Sequence, residues 1–150
     1  MLALVQRCAK AQVIADDKVA GAIDQGLLIL VCAERGDTRE QADRLLDKCL
    51  KLRIFNDDQG RMNLSVQDVG GGLLIVSQFT LAADTRKGHR PGFSQAAGPD
   101  TGRALYEYFL ATAMQRHAPV AAGVFGAHMQ VTLVNDGPVT IPLRIAPPAA

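Results

Sequence analysis

Strand-like runs fill this chain, and they do not alternate with helices in any regular order. Residues 2–8 read as a strand, 11–15 and 18–23 as short β pieces parted by Asp16-Asp17, and Leu27 to Ala33 as a continuous apolar run suited to a buried strand. Helical periodicity begins only afterwards. Thr38 and Gln41 stand at capping-box spacing, and Ala42, Leu45, Leu46, Cys49 and Leu50 recur on one face, which predicts a helix over 38–51. Short strands follow at 53–55 and 62–66, around the turn Asn56 to Gly60, and at 73–76 after Gly70-Gly71-Gly72. A second helix starts at Pro99-Asp100-Thr101 and stops before Pro119, with Leu105, Tyr108, Phe109 and Thr112 as its buried stripe. The last strands fall at 128–135 and 139–145, and the tail Ala146-Pro147-Pro148-Ala149-Ala150 should fray. This order argues against a doubly wound parallel sheet. It predicts an α+β fold with mostly antiparallel β-sheets and two main helices, in a single domain over 1–150 without repeat or linker.

Composition narrows the function classes. Apolar residues make up 48% of the 150, enough for a sizeable core, and the formal net charge of +1 supplies no global basic field, so any RNA contact must come from a local patch. Cys8, Cys32 and Cys49 form no CxxC pair, and each lies in an apolar stretch. They read as buried small hydrophobes in a reduced, cytoplasmic setting. No charged leader precedes a long apolar run, and no run approaches the ~20 residues that span a bilayer, so no membrane partner is expected.

Chemistry is concentrated in three places. The run Val76-Ser77-Gln78-Phe79-Thr80 ends a buried strand in polar side chains. If strand geometry continues, Gln78 and Thr80 share one face and Ser77 and Phe79 the other, either as a ligand site or as a strand emerging into solvent. A nucleophilic hydrolase would use Ser77 or Thr80, but His89, His117 and His128 sit in no motif with an acid partner, and there is no Gly-x-Ser-x-Gly elbow. No His/Cys/Asp cluster has metal-ligand spacing, and the three glycines precede a strand rather than the helix of a phosphate loop. The second place is the basic loop Arg86-Lys87-Gly88-His89-Arg90, either a solvated loop or a phosphate contact. The third is Leu133-Val134-Asn135-Asp136-Gly137-Pro138-Val139-Thr140-Ile141-Pro142-Leu143. Two β-favouring runs flank what reads as a tight turn, yet Pro138 has no N–H for a ladder.

Two of these segments, "SQFTL" at 77–81 and "NDGPVT" at 135–140, resemble the signature motifs of the D-aminoacyl-tRNA deacylases. The likeness runs along the chain, through "QR" at 6–7, "RIFND" at 53–57, "MNLSV" at 62–66, "LAADTRKGHRPGF" at 81–93, "LYEYF" at 105–109 and "FGAHMQV" at 125–131. The resemblance implies hydrolysis of the ester of D-aminoacyl-tRNA, and of glycyl-tRNA mischarged on tRNA-Ala, with no cofactor and no metal. It implies a cis Gly137-Pro138 bond whose carbonyls accept the substrate ammonium and reject L-amino acids sterically. It places this loop in trans, in the pocket of the second subunit of a homodimer. Arg7 would hold the loop, Phe125 and Met129 would wall the pocket, and Ser77, Gln78, Phe79 and Thr80 would grip the terminal adenosine and the ester, with backbone N–H groups near Phe79 and Thr80 as oxyanion donors. Water assisted by the ribose 2′-OH is favoured as nucleophile over Thr80. The partner implied is aminoacyl-tRNA, through its 3′-terminal adenosine and acceptor stem. His128 and Gly92 depart from the expected pattern, where an acidic residue and a serine are common. A catalytically silent nucleic-acid-binding protein on the same fold is the competing expectation, and a small-molecule esterase a third.

Overall fold

The computed structural model describes residues 1–149; the last residue of the expected fraying tail, Ala150, lies outside them. The chain opens with β1 (Leu2–Ala15), β2 (Lys18–Ile23) and β3 (Gly26–Cys32), followed by helix α1 (Arg39–Lys51). Next come the small hairpin β4 (Phe55–Asn56) and β5 (Met62–Leu64), the one-turn helix α2 (Val66–Val69), strand β6 (Gly72–Ser77) and a 3-10 turn over Phe79–Ala82. Helix α3 (Pro99–Arg116), β7 (Val120–Ala122) and β8 (Met129–Arg144) complete the chain. The predicted capping box is present at Thr38, whose hydroxyl accepts the Glu40 N–H while the Gln41 side chain reaches back to the Thr38 N–H.

The α+β class and the two long helices agree with the sequence, but the main sheet is mixed rather than mostly antiparallel. Its order is β2-β1-β3-β6-β7, with β8 on β1. β1 pairs antiparallel with β2, β3 and β8, whereas β3–β6 and β6–β7 are parallel. Parallel neighbours need long crossovers, and the two helices supply them: α1 lies in the β3–β6 connection and α3 in the β6–β7 connection. The sequence did carry this signal. Leu27, Leu28, Ile29, Leu73, Leu74 and Ile75 are all fully buried, and burial on both faces marks a parallel strand. One face packs Val5, Leu27, Ile29, Leu73 and Ile75 against Leu45, Leu46 and Phe109 of the helices. The other gathers Cys8, Val13, Ile23, Leu28, Leu74 and Val76 inside the curl of the sheet. β2 also packs against β7. A Cβ on Gly21 would sit 2.7 Å from the Ala122 carbonyl, so only glycine lets these strands meet and nearly close a barrel.

Several boundaries move. Residues 2–8 and 11–15 are one strand, with shifts in its register with β8 around Cys8 and with β2 at Val13/Ile14. Ser65 and Val66 leave the expected strand: Ser65 caps α2, and Gly70, at φ +65°, ends it. In α3, Leu105 and Phe109 are buried as read, but Tyr106 and Ala113 replace Tyr108 and Thr112 in the stripe. Tyr108 instead donates its hydroxyl to Asp43 of α1 at 2.7 Å. Cys8, Cys32 and Cys49 are buried and unpaired, as their apolar settings suggested. Among the described residues no helix is long and apolar enough to cross a membrane.

Candidate functional site: a pocket and a bulge

The C-terminal ends of the parallel strands β3 and β6 open into a cavity of about 520 Å³. Val31, Cys32, Val76 and Ser77 form its floor, Gly98, Pro99, Gly102 and Tyr106 at the start of α3 one wall, and Phe125, His128 and Met129 the other. The side wall is fixed by packing. Phe125 lies 5.6 Å from the Tyr106 ring and under the Arg103 guanidinium at 4.8 Å. The Met129 sulfur accepts the Val124 N–H at 3.4 Å, and it fills the space where a Gly123 side chain would have to stand. The lining is mostly apolar, and burial pushes the Tyr106 hydroxyl up to about 12. Tyr106 donates to the Ile75 carbonyl at 3.1 Å. Burial, reinforced by nearby Glu34, raises the Cys32 thiol to about 11, so it carries almost no thiolate at neutral pH.

The strand runs one residue past the predicted 73–76, to Ser77, and strand geometry does not continue beyond it, so the condition for alternating faces over 77–80 is not met. After Ser77 the chain bends at Gln78 into the 3-10 turn. Gln78 N–H donates to Val31 O and Leu81 N–H to Gln78 O, while the Phe79 and Thr80 N–H groups between them find no backbone acceptor among the described residues. Ser77, Gln78 and Phe79 line the cavity, and Thr80 lies just outside that lining. The Thr80 hydroxyl accepts a short hydrogen bond from the Gln78 amide. Phe79, 61% exposed, stands at the mouth with Phe93 edge-on at 5.0 Å. That contact ties the basic loop to the site, and the backbone pairing of Asp84 with Gly92 closes the base of the loop. Within the loop Arg86 is held by Asp84 at 2.7 Å, and the Arg86 guanidinium brings the Asp84 carboxyl down to about 2.

The presumed turn at 135–138 is not a turn. β8 runs straight through, still paired with β1, and its register slips: Asn135 faces Cys8 and Thr140 faces Gln6. Asp136 to Val139 have no partner position and are extruded as a bulge. Proline fits here because no ladder bond is asked of it. The Gly137–Pro138 bond is cis and Gly137 has φ +138°. Arg7, only 8% exposed, reaches the bulge from β1. Its Nε donates to the Asp136 carbonyl at 2.8 Å and its Nη1 to the Ile54 carbonyl at 2.7 Å, so the bulge is pinned to the start of the β4–β5 hairpin. Among the described residues no side chain donates to the Gly137 or Pro138 carbonyl.

The expected site residues therefore fall into two groups. Ser77, Gln78, Phe79, Phe125 and Met129 share the cavity; Arg7, Gly137 and Pro138 do not line it. Along β1, Cys8 opposite the bulge and Ala15 opposite Met129 are roughly 20 Å apart at the usual rise. Sequence reading missed Cys32, Tyr106, His128 as a lining residue, and the Gly98–Gly102 wall. Tyr106 was concealed by a misjudged helical stripe, and the Gly98-Pro99 helix start was the available signal for the wall.

A buried ionic cluster supports the floor. The N-terminal ammonium of Met1, itself a lining residue, donates to Asp37 at 3.0 Å and Glu34 at 3.3 Å, and Arg144 donates to Glu34 at 2.9 Å. Burial alone would raise the Glu34 carboxyl, but the Arg144 hydrogen bond and the ammonium charge outweigh it and hold it below its ordinary value. A depressed carboxylate stabilises the fold above its unfolded pKa, and that stability is lost as pH falls through the folded one. Thermal unfolding should therefore show a loss below about pH 4. Glu34→Gln should remove that part of the pH dependence and cost roughly 3 kcal/mol at neutral pH.

The fold and site together define a pocket protein of mixed α+β architecture whose polar lining combines amide and hydroxyl groups with the Cys32 thiol, the His128 imidazole and the Met1 ammonium. Residues 4–144 match the family model described as D-Tyr-tRNA(Tyr) deacylase, and the chain belongs to that family. It is 66% identical to a D-aminoacyl-tRNA deacylase of Paracidovorax citrulli, over 99% of this chain and 96% of the relative, and 64% identical to one of Azoarcus sp. over 100% and 99%. A solved structure described as a c-Myc DNA unwinding element binding protein superposes with TM-score 0.92 at 36% identity, covering 97% of this chain and 99% of its own. Another, of a probable eukaryotic D-amino acid tRNA deacylase, superposes with TM-score 0.80 at 20% identity over 96% and 98%, and supports the fold alone.

Proposed function

We propose that this protein hydrolyses the ester of D-aminoacyl-tRNA, and of glycyl-tRNA mischarged on tRNA-Ala, while sparing L-aminoacyl-tRNA. The observation that carries the reading is the bulge at Gly137-Pro138, extruded from β8, pinned by Arg7 and left with two carbonyls that no side chain among the described residues engages. Two such acceptors suit an α-ammonium group. With the ammonium held there, an L-side chain is driven into the loop, a D-side chain points away, and glycine has nothing to clash. The terminal adenosine enters the cavity, with Ser77, Gln78 and Phe79 against it and Phe125 and Met129 as the walls.

The chemical step asks little of the protein. An aminoacyl ester is already activated, so alignment and charge stabilisation supply most of the rate. Water, relieved of its proton through the ribose 2′-OH, adds to the ester carbonyl. The resulting oxyanion is met by the unengaged N–H groups of Phe79 and Thr80. Collapse breaks the bond to the ribose oxygen, which takes up the proton, releasing the amino acid and tRNA. Thr80 is a poor nucleophile in this setting, because its side-chain partner among the described residues is the Gln78 amide nitrogen, which donates to it and cannot accept its proton. Lys87, His89 and Arg90, exposed beside Phe93, meet acceptor-stem phosphates. In the cell the enzyme works in the cytoplasm, where its substrate is made.

The separation of bulge and cavity in one chain supports a homodimer in which the loop of each subunit completes the pocket of the other. Exposed Val131 and Val134 on β8 suit a covered face. The test is complementation. Gly137→Ala damages the loop and Gln78→Ala the pocket; each alone should cleave D-Tyr-tRNA poorly. Mixed dimers, formed by co-expression, should recover activity at one of their two sites. A mixture no more active than its components would refute the trans arrangement.

The structural likeness to the c-Myc DNA unwinding element binding protein favours a second reading, a nucleic-acid-binding protein without catalysis. The intact SQFT and GPVT segments weigh against it.

A further inference from the structure

Arg7 accounts for only one side of the bulge. The other side is closed by a separate set of hydrogen bonds. The Asn135 Oδ1 accepts the Val139 N–H at 2.9 Å, spanning the loop from its first residue to the far side of Pro138. The same amide, through Nδ2, donates to the Thr140 hydroxyl at 2.8 Å. Gln6, opposite Thr140 in the register, donates its Nε2 to that hydroxyl at 3.2 Å. Val139 packs its side chain against the main core. We propose that Asn135, Thr140 and Gln6 form a clasp across the neck of the bulge that sets the direction of the Gly137 and Pro138 carbonyls, making Asn135 and Thr140 positioning residues for chiral selection. The proposal rests on the deacylase reading of the same site.

Two physical points carry it. First, the clasp joins exposed Thr140 to half-exposed Asn135 and Gln6 at the end of an interrupted ladder, where water could reach these groups and the fold would not require them. Their value is in fixing geometry. A loop anchored only at Asp136 could swing about that anchor, and a displacement near 1 Å is enough to cost catalysis heavily. Second, a hydroxyl has two acceptor lone pairs and one proton. Thr140 accepts from both Asn135 and Gln6, so both lone pairs are occupied and it cannot compete with the two carbonyls for an incoming ammonium group.

The test compares Thr140→Val, Thr140→Ser and Asn135→Ala by single-turnover cleavage of D-Tyr-tRNA and L-Tyr-tRNA, with Tm measured in parallel. Thr140→Val keeps shape and removes the hydroxyl; it should lose at least tenfold in the saturating rate on the D-substrate and narrow the D/L ratio. The enzyme concentration giving half the maximal rate should change less than threefold, and Tm by only a few degrees. Asn135→Ala should do the same or more, and Thr140→Ser should restore the rate and the ratio. Native rate and D/L ratio in both Thr140→Val and Asn135→Ala would overturn the clasp, as would Thr140→Ser behaving like Thr140→Val. A native protein inactive on both substrates would instead overturn the deacylase reading, so the two failures are distinct.

Discussion

Arg7→Ala is expected to lower stability by roughly 3 kcal/mol and to reduce cleavage of D-Tyr-tRNA by more than a hundredfold. The guanidinium is almost wholly buried and satisfies two carbonyls from different parts of the chain, Asp136 in the bulge and Ile54 before β4. Removing it leaves both acceptors without a donor and frees the bulge from the hairpin. For a chain of this length that energy corresponds to about 10 °C in Tm. Arg7→Lys should recover some of the stability and little of the rate, because an ammonium cannot fork to two acceptors set apart as these are. Thermal unfolding and single-turnover kinetics on the two variants check both parts. A Lys variant with native rate would show that charge alone suffices.

Gly137→Ala should separate activity from stability. At φ +138° an L-residue is strained, and the added Cβ would lie 2.8 Å from the Val139 side chain and 3.0 Å from the Arg7 guanidinium. The bulge is exposed, so the strain, about 1–3 kcal/mol, can be relieved by moving the loop rather than unfolding the sheet. The expected result is a Tm lower by several degrees and a cleavage rate at least a hundredfold lower on the D-substrate. A rate within threefold of native would mean that the backbone at 137 does not face the substrate.

Much of this architecture is legible in the sequence, and the elements that are not share a cause. Helix α1 was legible because its cap and its apolar stripe are local. The exchange of Tyr108 for Tyr106 in α3 was not, because adjacent aromatic residues are sorted by what lies opposite them. The parallel β3–β6–β7 order was missed for a related reason: apolar runs such as Leu27 to Ala33 signal strands buried on both faces, and so the possibility of parallel pairing, but not which strands lie beside them. The bulge is the most instructive case. Asn-Asp-Gly-Pro between two strands carries every local mark of a turn, yet both runs pair with the same long β1 and the chain never reverses. The site motifs were legible only as a resemblance. Composition and spacing pointed to polar residues at 77–80 and to basic residues at 86–90, without saying that Phe79 and Phe93 join them.

The central claim is chirality-selective ester hydrolysis. It is tested most directly by single-turnover deacylation of D-Tyr-tRNA and L-Tyr-tRNA by the purified protein, with a chelator present. The expected result is rapid cleavage of the D-substrate and none of the L-substrate above the spontaneous rate. Equal cleavage of both, or of neither, would contradict it.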